Sequence, residues 1–258
     1  MNKNLLRRAL VVIAVAATIA VNTLANALPL NGLQTGQISD TFPVYFVPAG
    51  YVFSIWGLIY VGLIAYAIYQ ALPAQRENAR VQGIAGWFLL GSAANIAWIF
   101  LWHYLLFPLT LVAMVVLLVA LVAIYLRLDI GRANPPTPER WLVDLPFSIY
   151  LGWITVATVA NVTAVLYDLG WNGFGVSDEA WLAIMLGVAL VVAALMALTR
   201  RDVAYLLVLA WAFAGIGVKH AAVPTVAVAA WVATALALAM AAASGLAREP
   251  QASAPTAA

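Results

Sequence analysis

The sequence predicts an all-α membrane protein, a polytopic bundle of about eight transmembrane helices. Three observations lead to this fold class: 66% of the residues are hydrophobic, only 9% are charged, and the apolar residues are gathered in eight long runs. A soluble domain has about 25% charged residues and is about half apolar. Runs of about 18 to 25 apolar residues have the length that a helix needs to cross a bilayer. Their pattern is helical throughout, without the alternation typical of a membrane β-barrel.

The predicted spans follow one another along the whole chain. The third and fourth nearly touch, and the seventh is short for a spanning helix. An even number of spans places both chain ends on the same side of the membrane. The approximate bounds are Leu5–Leu28, Tyr51–Leu72, Ile84–Tyr104, Leu106–Leu126, Leu145–Tyr167, Trp181–Leu198, Val203–Val218 and Thr225–Leu246.

Lysine and arginine residues predict the orientation of these spans. With eight spans, all but Lys219 of the 12 basic residues fall on the side of the chain ends. The positive-inside rule then places both termini in the cytoplasm of a protein of the cell (inner) membrane. The net charge is only +2 and the basic residues are scattered, which argues against a nucleic-acid partner.

The first span has a second interpretation. Arg7 and Arg8, an apolar run and then Ala25-Asn26-Ala27 also resemble a signal peptide with its cleavage site. The run is long for the apolar region of a signal peptide, which favours a retained helix, and both interpretations stay open.

Two connections and the tail carry their own expectations. The outer loop 29–50 is the longest outside connection; a loop of this length is often a lid, although a plain exposed connector is an equal alternative. The inner loop Gly131–Asp144 is rich in proline and is expected to be a stiff spacer with Trp141 at headgroup level. Residues 248–258 have the Ala-, Pro- and Ser-rich composition expected of a disordered tail.

One face of the fifth span is the most informative in the chain. Trp153, Ala157 and Asn161 recur at i, i+4 and i+8, so they form one stripe on a helix. Lipid satisfies neither an indole N–H nor an amide, so this stripe is expected to point toward protein or a ligand. Val156 lies about 100° from Ala157 on a helix and is expected to face lipid.

The second span carries an aromatic face. Trp56 and Tyr60 are one turn apart, with Phe53 on the same side. An aromatic belt at the outer headgroups is the alternative to an internal face.

The third span combines an amide with tryptophans. Asn95, Trp98 and Trp102 share a helical face, and a buried amide of this kind commonly bonds across helices in a structural role. His103 lies at the outer end of the span, where a solvated histidine is expected.

Together these motifs resemble the TspO/MBR family, the tryptophan-rich sensory proteins that include the mitochondrial translocator protein, or peripheral benzodiazepine receptor. The resemblance covers about residues 5–170 and has three parts in the family's order: Pro48 to Tyr60, then Asn95-x-x-Trp98, then the Trp153 stripe. It implies a five-helix core over residues 1–170. Residues 171–247 would then add a three-span extension that five-helix members lack.

The resemblance also implies a function and a site. Family members bind porphyrins, haem or sterols between helices, in a pocket closed by the loop after the first helix. The implied ligand is a tetrapyrrole, with no required cofactor, no metal site and no catalytic residue. The residues implied to bind it are Trp56, Tyr60, Asn95, Trp98, Trp153, Ala157 and Asn161.

The chain departs from the family pattern in two places. The double proline and tryptophan ahead of the second helix are reduced to Pro48 and Tyr51. The Pro-Tyr ahead of the fifth-helix tryptophan is displaced, with Pro146-Phe147 upstream and Tyr150 nearer. In the extension, Lys219 and His220 have a functional interpretation, but a lysine that reaches the headgroups is the simpler one.

Three functions stay open at this point. The first is binding of a flat apolar ligand in a sensory, regulatory or transport role, with membrane lipid and a second copy of the chain as further partners. The second is small-solute transport without a tetrapyrrole, although ionisable residues typical of ion-coupled transport are not found in the middle of the spans. The third is an enzyme acting on a bound porphyrin, which is less favoured because the sequence has no acid–base pair, metal-ligand spacing or nucleophile motif. The absence of cysteine excludes thiol chemistry.

Overall fold

Eight long helices make up most of the protein in a computed structural model that describes residues 3–247. No strand occurs in this part of the chain, and each helix coincides with one predicted span. The expected disordered tail, 248–258, lies outside the described residues. The helices are α1 Lys3–Ala27, α2 Ile55–Ala71, α3 Ala85–His103, α4 Phe107–Arg127, α5 Leu145–Asp168, α6 Asp178–Arg200, α7 Val203–Lys219 and α8 Pro224–Leu246.

Helix length supports the prediction of a polytopic bundle. Seven of the eight helices are long and apolar enough to cross a membrane. The exception is α7, which has 17 residues and a length of about 26 Å at 1.5 Å per residue. That is the lower end of the range for a spanning helix. Shorter helices interrupt the connections at Thr35–Asp40, Ala79–Gln82 and Thr137–Glu139.

The first five helices form a closed ring. α1 packs against α2 and α3, α3 against α4, α4 against α5, and α5 returns to α2. The last three helices pack on one another, and α7 lies along α5. Gly152 on α5 permits this close approach: a Cβ there would lie 3.1 Å from the Val208 Cβ and 3.2 Å from the Tyr205 carbonyl oxygen. α5 is therefore surrounded by protein rather than by lipid.

Polar bonds fasten α1 to its neighbours. Arg8 donates from Nε to the carbonyl of Gln70 at 3.0 Å, and the Gln70 amide returns a bond to the Arg8 carbonyl at 3.1 Å. Deeper in the bundle, the Asn22 amide donates to Asn95 Oδ1 at 2.7 Å. These bonds join α1 to both of the helices that it packs against.

A buried ion cluster joins the connections at the end of the bundle that holds the N-terminus. Arg80 pairs with Glu139 and donates to both carboxylate oxygens of Asp144, at 2.8 and 3.0 Å. Both carboxylates are buried, with 3% and 6% exposure. The proline-rich loop Gly131–Asp144 is thereby tied to the short helix Ala79–Gln82 that precedes α3, and Trp141 on the same loop is exposed.

A third buried carboxylate joins the ring to the last three helices. Asp202 accepts hydrogen bonds from Tyr125 Oη at 2.8 Å and from Ser148 Oγ at 2.6 Å. It also caps the start of α7 by accepting from the Tyr205 amide. α4, α5 and α7 therefore meet at one satisfied carboxylate.

The orientation in the membrane is a testable prediction. Reporter fusions after Glu77, after Pro135 and at the C-terminus should read cytoplasmic, and fusions after Gly32 and Gly175 should read external, because the basic connections are retained inside. An external C-terminus would contradict the even number of spans, and α7 would be the first helix to re-examine because it is the shortest of the eight.

Candidate functional site

A cavity opens inside the five-helix ring and is covered by the loop that follows α1. It contains about 730 Å³ of free space when the open solvent at its mouth is included. Six of the seven residues implied by the family resemblance line it: Trp56, Asn95, Trp98, Trp153, Ala157 and Asn161.

The fifth-helix stripe faces this cavity, as the sequence predicts. Trp153 and Asn161 are only 2% and 3% exposed, and the small side chain of Ala157 leaves free space between them. Val156, expected to face lipid, is 3% exposed and also lines the cavity. That expectation is wrong because α2, α4 and α7 all pack against α5.

Trp56 and Tyr60 have different positions. The Trp56 ring lines the cavity and meets the Trp153 ring edge to face, with centroids 6.3 Å apart. Tyr60 stacks on Trp56 at 5.7 Å but does not line the cavity, so it supports the wall from behind. The structure therefore favours an internal face over an aromatic belt for Trp56.

Both cavity amides bond across helices. Asn95 accepts from Asn22 at 2.7 Å and donates to Tyr150 Oη at 3.1 Å, which agrees with its predicted structural role.

Asn161 donates to Thr110 Oγ1 at 2.8 Å and accepts from Trp98 Nε1 at 3.2 Å. In contrast, the buried Nε1 of Trp153 has no hydrogen-bond partner among the described residues. An unpaired buried donor is costly, so an acceptor that reached the Trp153 Nε1 group would be stabilised by it.

The loop after α1 folds over the outer end of α3. Trp102 Nε1 donates to the carbonyl of Thr35 at 3.2 Å. His103 bonds this loop through both ring nitrogens: Nδ1 lies 3.2 Å from the Leu30 carbonyl and Nε2 lies 3.0 Å from Thr35 Oγ1. A carbonyl only accepts, so Nδ1 carries the proton and Nε2 accepts from the threonine.

These contacts test two predictions, the exposure of His103 and the role of the loop after α1. His103 is completely buried, so the prediction of a solvated interfacial histidine is wrong, because the loop covers it. Thr35 and Ser39, both on the short helix Thr35–Asp40, line the cavity. Of the two interpretations of the loop, the structure supports the lid.

The second half of this lid rests on α7. The Ala49 amide donates to the Gly215 carbonyl at 3.1 Å, and Trp211 Nε1 donates to the Val52 carbonyl at 3.1 Å. A Cβ on Gly215 would lie 2.2 Å from Val52 Cγ2, so only glycine fits there without movement. α7 thus supports the segment that brings Pro48 to the cavity, a role that the sequence pattern did not reveal.

The end of α7 adds charge near the lid. Lys219 Nζ pairs with Asp40 Oδ1 at 2.6 Å, so the expectation of a lysine reaching the headgroups is replaced by an ion pair with the lid. His220 packs edge-on against the Tyr45 ring at 5.2 Å. Burial lowers the pKa of the His220 imidazole and the Lys219 charge adds to this effect, whereas hydrogen bonds to the backbone of Val47 and Tyr45 oppose it.

The cavity wall itself carries no ionisable side chain. Within residues 3–247, no group of three or more His, Asp or Glu side chains could hold a metal ion. The chemistry that the wall provides is stacking by tryptophan rings and hydrogen bonding by indole and amide groups. Such a wall is suited to binding.

The fold and the cavity define a class: a helical membrane protein with an aromatic, lid-covered pocket between its helices. A protein-family model described as "TSPO-like protein" matches residues 8–243, and the chain belongs to that family. The match runs into α8, so it includes the helices beyond the five-helix resemblance. No curated protein and no solved structure matches the chain.

Proposed function

We propose that the protein binds a flat, largely apolar ligand in this cavity, a tetrapyrrole such as a porphyrin or haem, in a sensory, regulatory or transport role. The observation that carries this proposal is the convergence of Trp56, Trp98 and Trp153 on one uncharged space. Tryptophan rings stack on a flat conjugated ligand. Ala157 and Ala160, both on the wall, supply the free width that such a ligand needs.

The absence of ionisable side chains from the wall bears on the rival function. Ion-coupled transporters place such residues, or helix breaks, at the middle of the membrane. The rival, small-solute transport without a tetrapyrrole, therefore has less support than ligand binding. The test must still measure both activities.

Spectral titration of the purified protein with a panel of porphyrins tests the proposal. The wild type should shift the porphyrin absorption band and saturate with one ligand per chain. Trp56→Ala should weaken binding about tenfold, because an aromatic anchor that contributes about 1.4 kcal/mol changes affinity by that factor.

Phe100→Ala is the matched control, since Phe100 is an aromatic residue of α3 with 42% exposure and does not line the cavity. The transporter function would be favoured instead if a small solute were taken up into proteoliposomes and the protein did not shift the absorption band of any porphyrin. An equal loss in both variants would place the ligand elsewhere.

A further inference from the structure

We propose that Lys219 forms a subsite at the rim of the cavity that receives an acidic group of the ligand. This inference rests on the proposed function and names the ligand class more closely: a flat apolar body with a carboxylate at one edge. The cavity wall carries no ionisable side chain. A carboxylate inside it would be buried without a countercharge, which is strongly unfavourable, so the acidic edge must lie at the rim.

Lys219 contacts the lid beside residues that line the cavity. Its Nζ lies 2.6 Å from Asp40 Oδ1, and Asp40 directly follows Ser39, which lines the cavity. On the other side, His220 packs against Tyr45, two residues before the wall residue Val47. Lys219 thus contacts the first half of the lid, and its neighbour His220 contacts the second half.

The lid end of the bundle has one basic Lys or Arg side chain that could pair with an acidic ligand. Within residues 3–247, every Arg lies at the opposite end, and Lys219 is the single Lys or Arg at the lid end. The ionisable acids at the lid end are Asp40, Asp168, Asp178 and Glu179. An acidic ligand is repelled by these groups and attracted at Lys219 alone.

The existing ion pair can give way to a ligand. The side chains of Lys219 and Asp40 are 24% and 61% exposed, and solvent-exposed pairs contribute little to stability. A ligand carboxylate can replace Asp40 as the partner of Lys219 at little net cost. The apolar body then occupies the space between the tryptophans, and the lid helix is released from α7.

A pair of porphyrins that differ only in charge tests this inference. Mesoporphyrin IX carries two carboxylates, and its dimethyl ester carries none. In detergent titrations, Lys219→Gln should weaken binding of the diacid about two- to fivefold, the range of an exposed charge pair, and leave the diester unchanged. Asp40→Asn removes the competing carboxylate and should tighten the diacid alone. Lys219→Arg should retain the affinity for the diacid.

Arg201→Gln is the matched control, because it removes a positive charge at the opposite end, where Arg201 donates to the Ala247 carbonyl at 2.7 Å. An equal loss for diacid and diester in Lys219→Gln, or no loss for either, would overturn the subsite and leave the proposed function standing. If neither porphyrin binds the wild type, the proposed function and the subsite fail together.

Discussion

Ala157→Phe should abolish most porphyrin binding while the protein still folds. Ala157 lies on the α5 stripe between Trp153 and Asn161 and lines the cavity, so a phenyl ring there occupies the space that the ligand needs. Ala157 is only partly buried and borders the cavity, so the ring meets less of the overpacking that a filled core would suffer. We expect a loss in affinity of at least about tenfold, or about 1.4 kcal/mol, measured by spectral titration.

The same substitution on the outside of the bundle is the control. Ala97 lies on α3 one residue before Trp98, is exposed and does not line the cavity, so Ala97→Phe should bind as the wild type does. If Ala157→Phe is folded and titrates unchanged, the ligand does not occupy this cavity. If phenylalanine prevents folding, Ala157→Val gives a smaller obstruction on the same wall, and unchanged binding by that folded variant would again contradict the prediction.

Arg80→Ala should strongly destabilise the protein. It removes the partner of two buried carboxylates, Glu139 and Asp144. Breaking a buried ion pair by removing one member costs about 3–5 kcal/mol, because the remaining charge stays buried without compensation. The 20% exposure of Arg80 places the expected loss in the free energy of unfolding at the lower end of that range. Denaturant unfolding in detergent measures it.

Further variants test whether the stranded carboxylates cause the loss of stability in Arg80→Ala. Arg76→Ala removes an exposed arginine from the same connection and should change the free energy of unfolding by less than about 0.5 kcal/mol. Neutralising the stranded acids in the Arg80→Ala background, by Glu139→Gln and Asp144→Asn, should recover part of the loss. A loss below about 1 kcal/mol in Arg80→Ala, typical of a surface pair, would show that the cluster is solvated.

The local pattern of apolar residues in the sequence was sufficient to predict the eight helices. Each predicted span coincides with an observed helix, and even the shortness of the seventh was visible, because span length depends only on apolar residues that are consecutive in the chain. The inward direction of Trp153, Ala157 and Asn161 followed from helical spacing together with the cost of a polar group in lipid. The positions of the spans and the direction of the α5 stripe depend on nearby residues only, so the sequence predicts them without knowledge of which helices are neighbours.

Long-range packing decided the details of the site. Trp211 bonds Val52 across a sequence separation of 159 residues, and no local pattern shows that α7 supports the lid. His103 is buried rather than solvated because the lid covers it, and Val156 faces the cavity because three helices surround α5. In each case the residue's own segment was predicted correctly, and its surroundings depended on which distant segments pack against it.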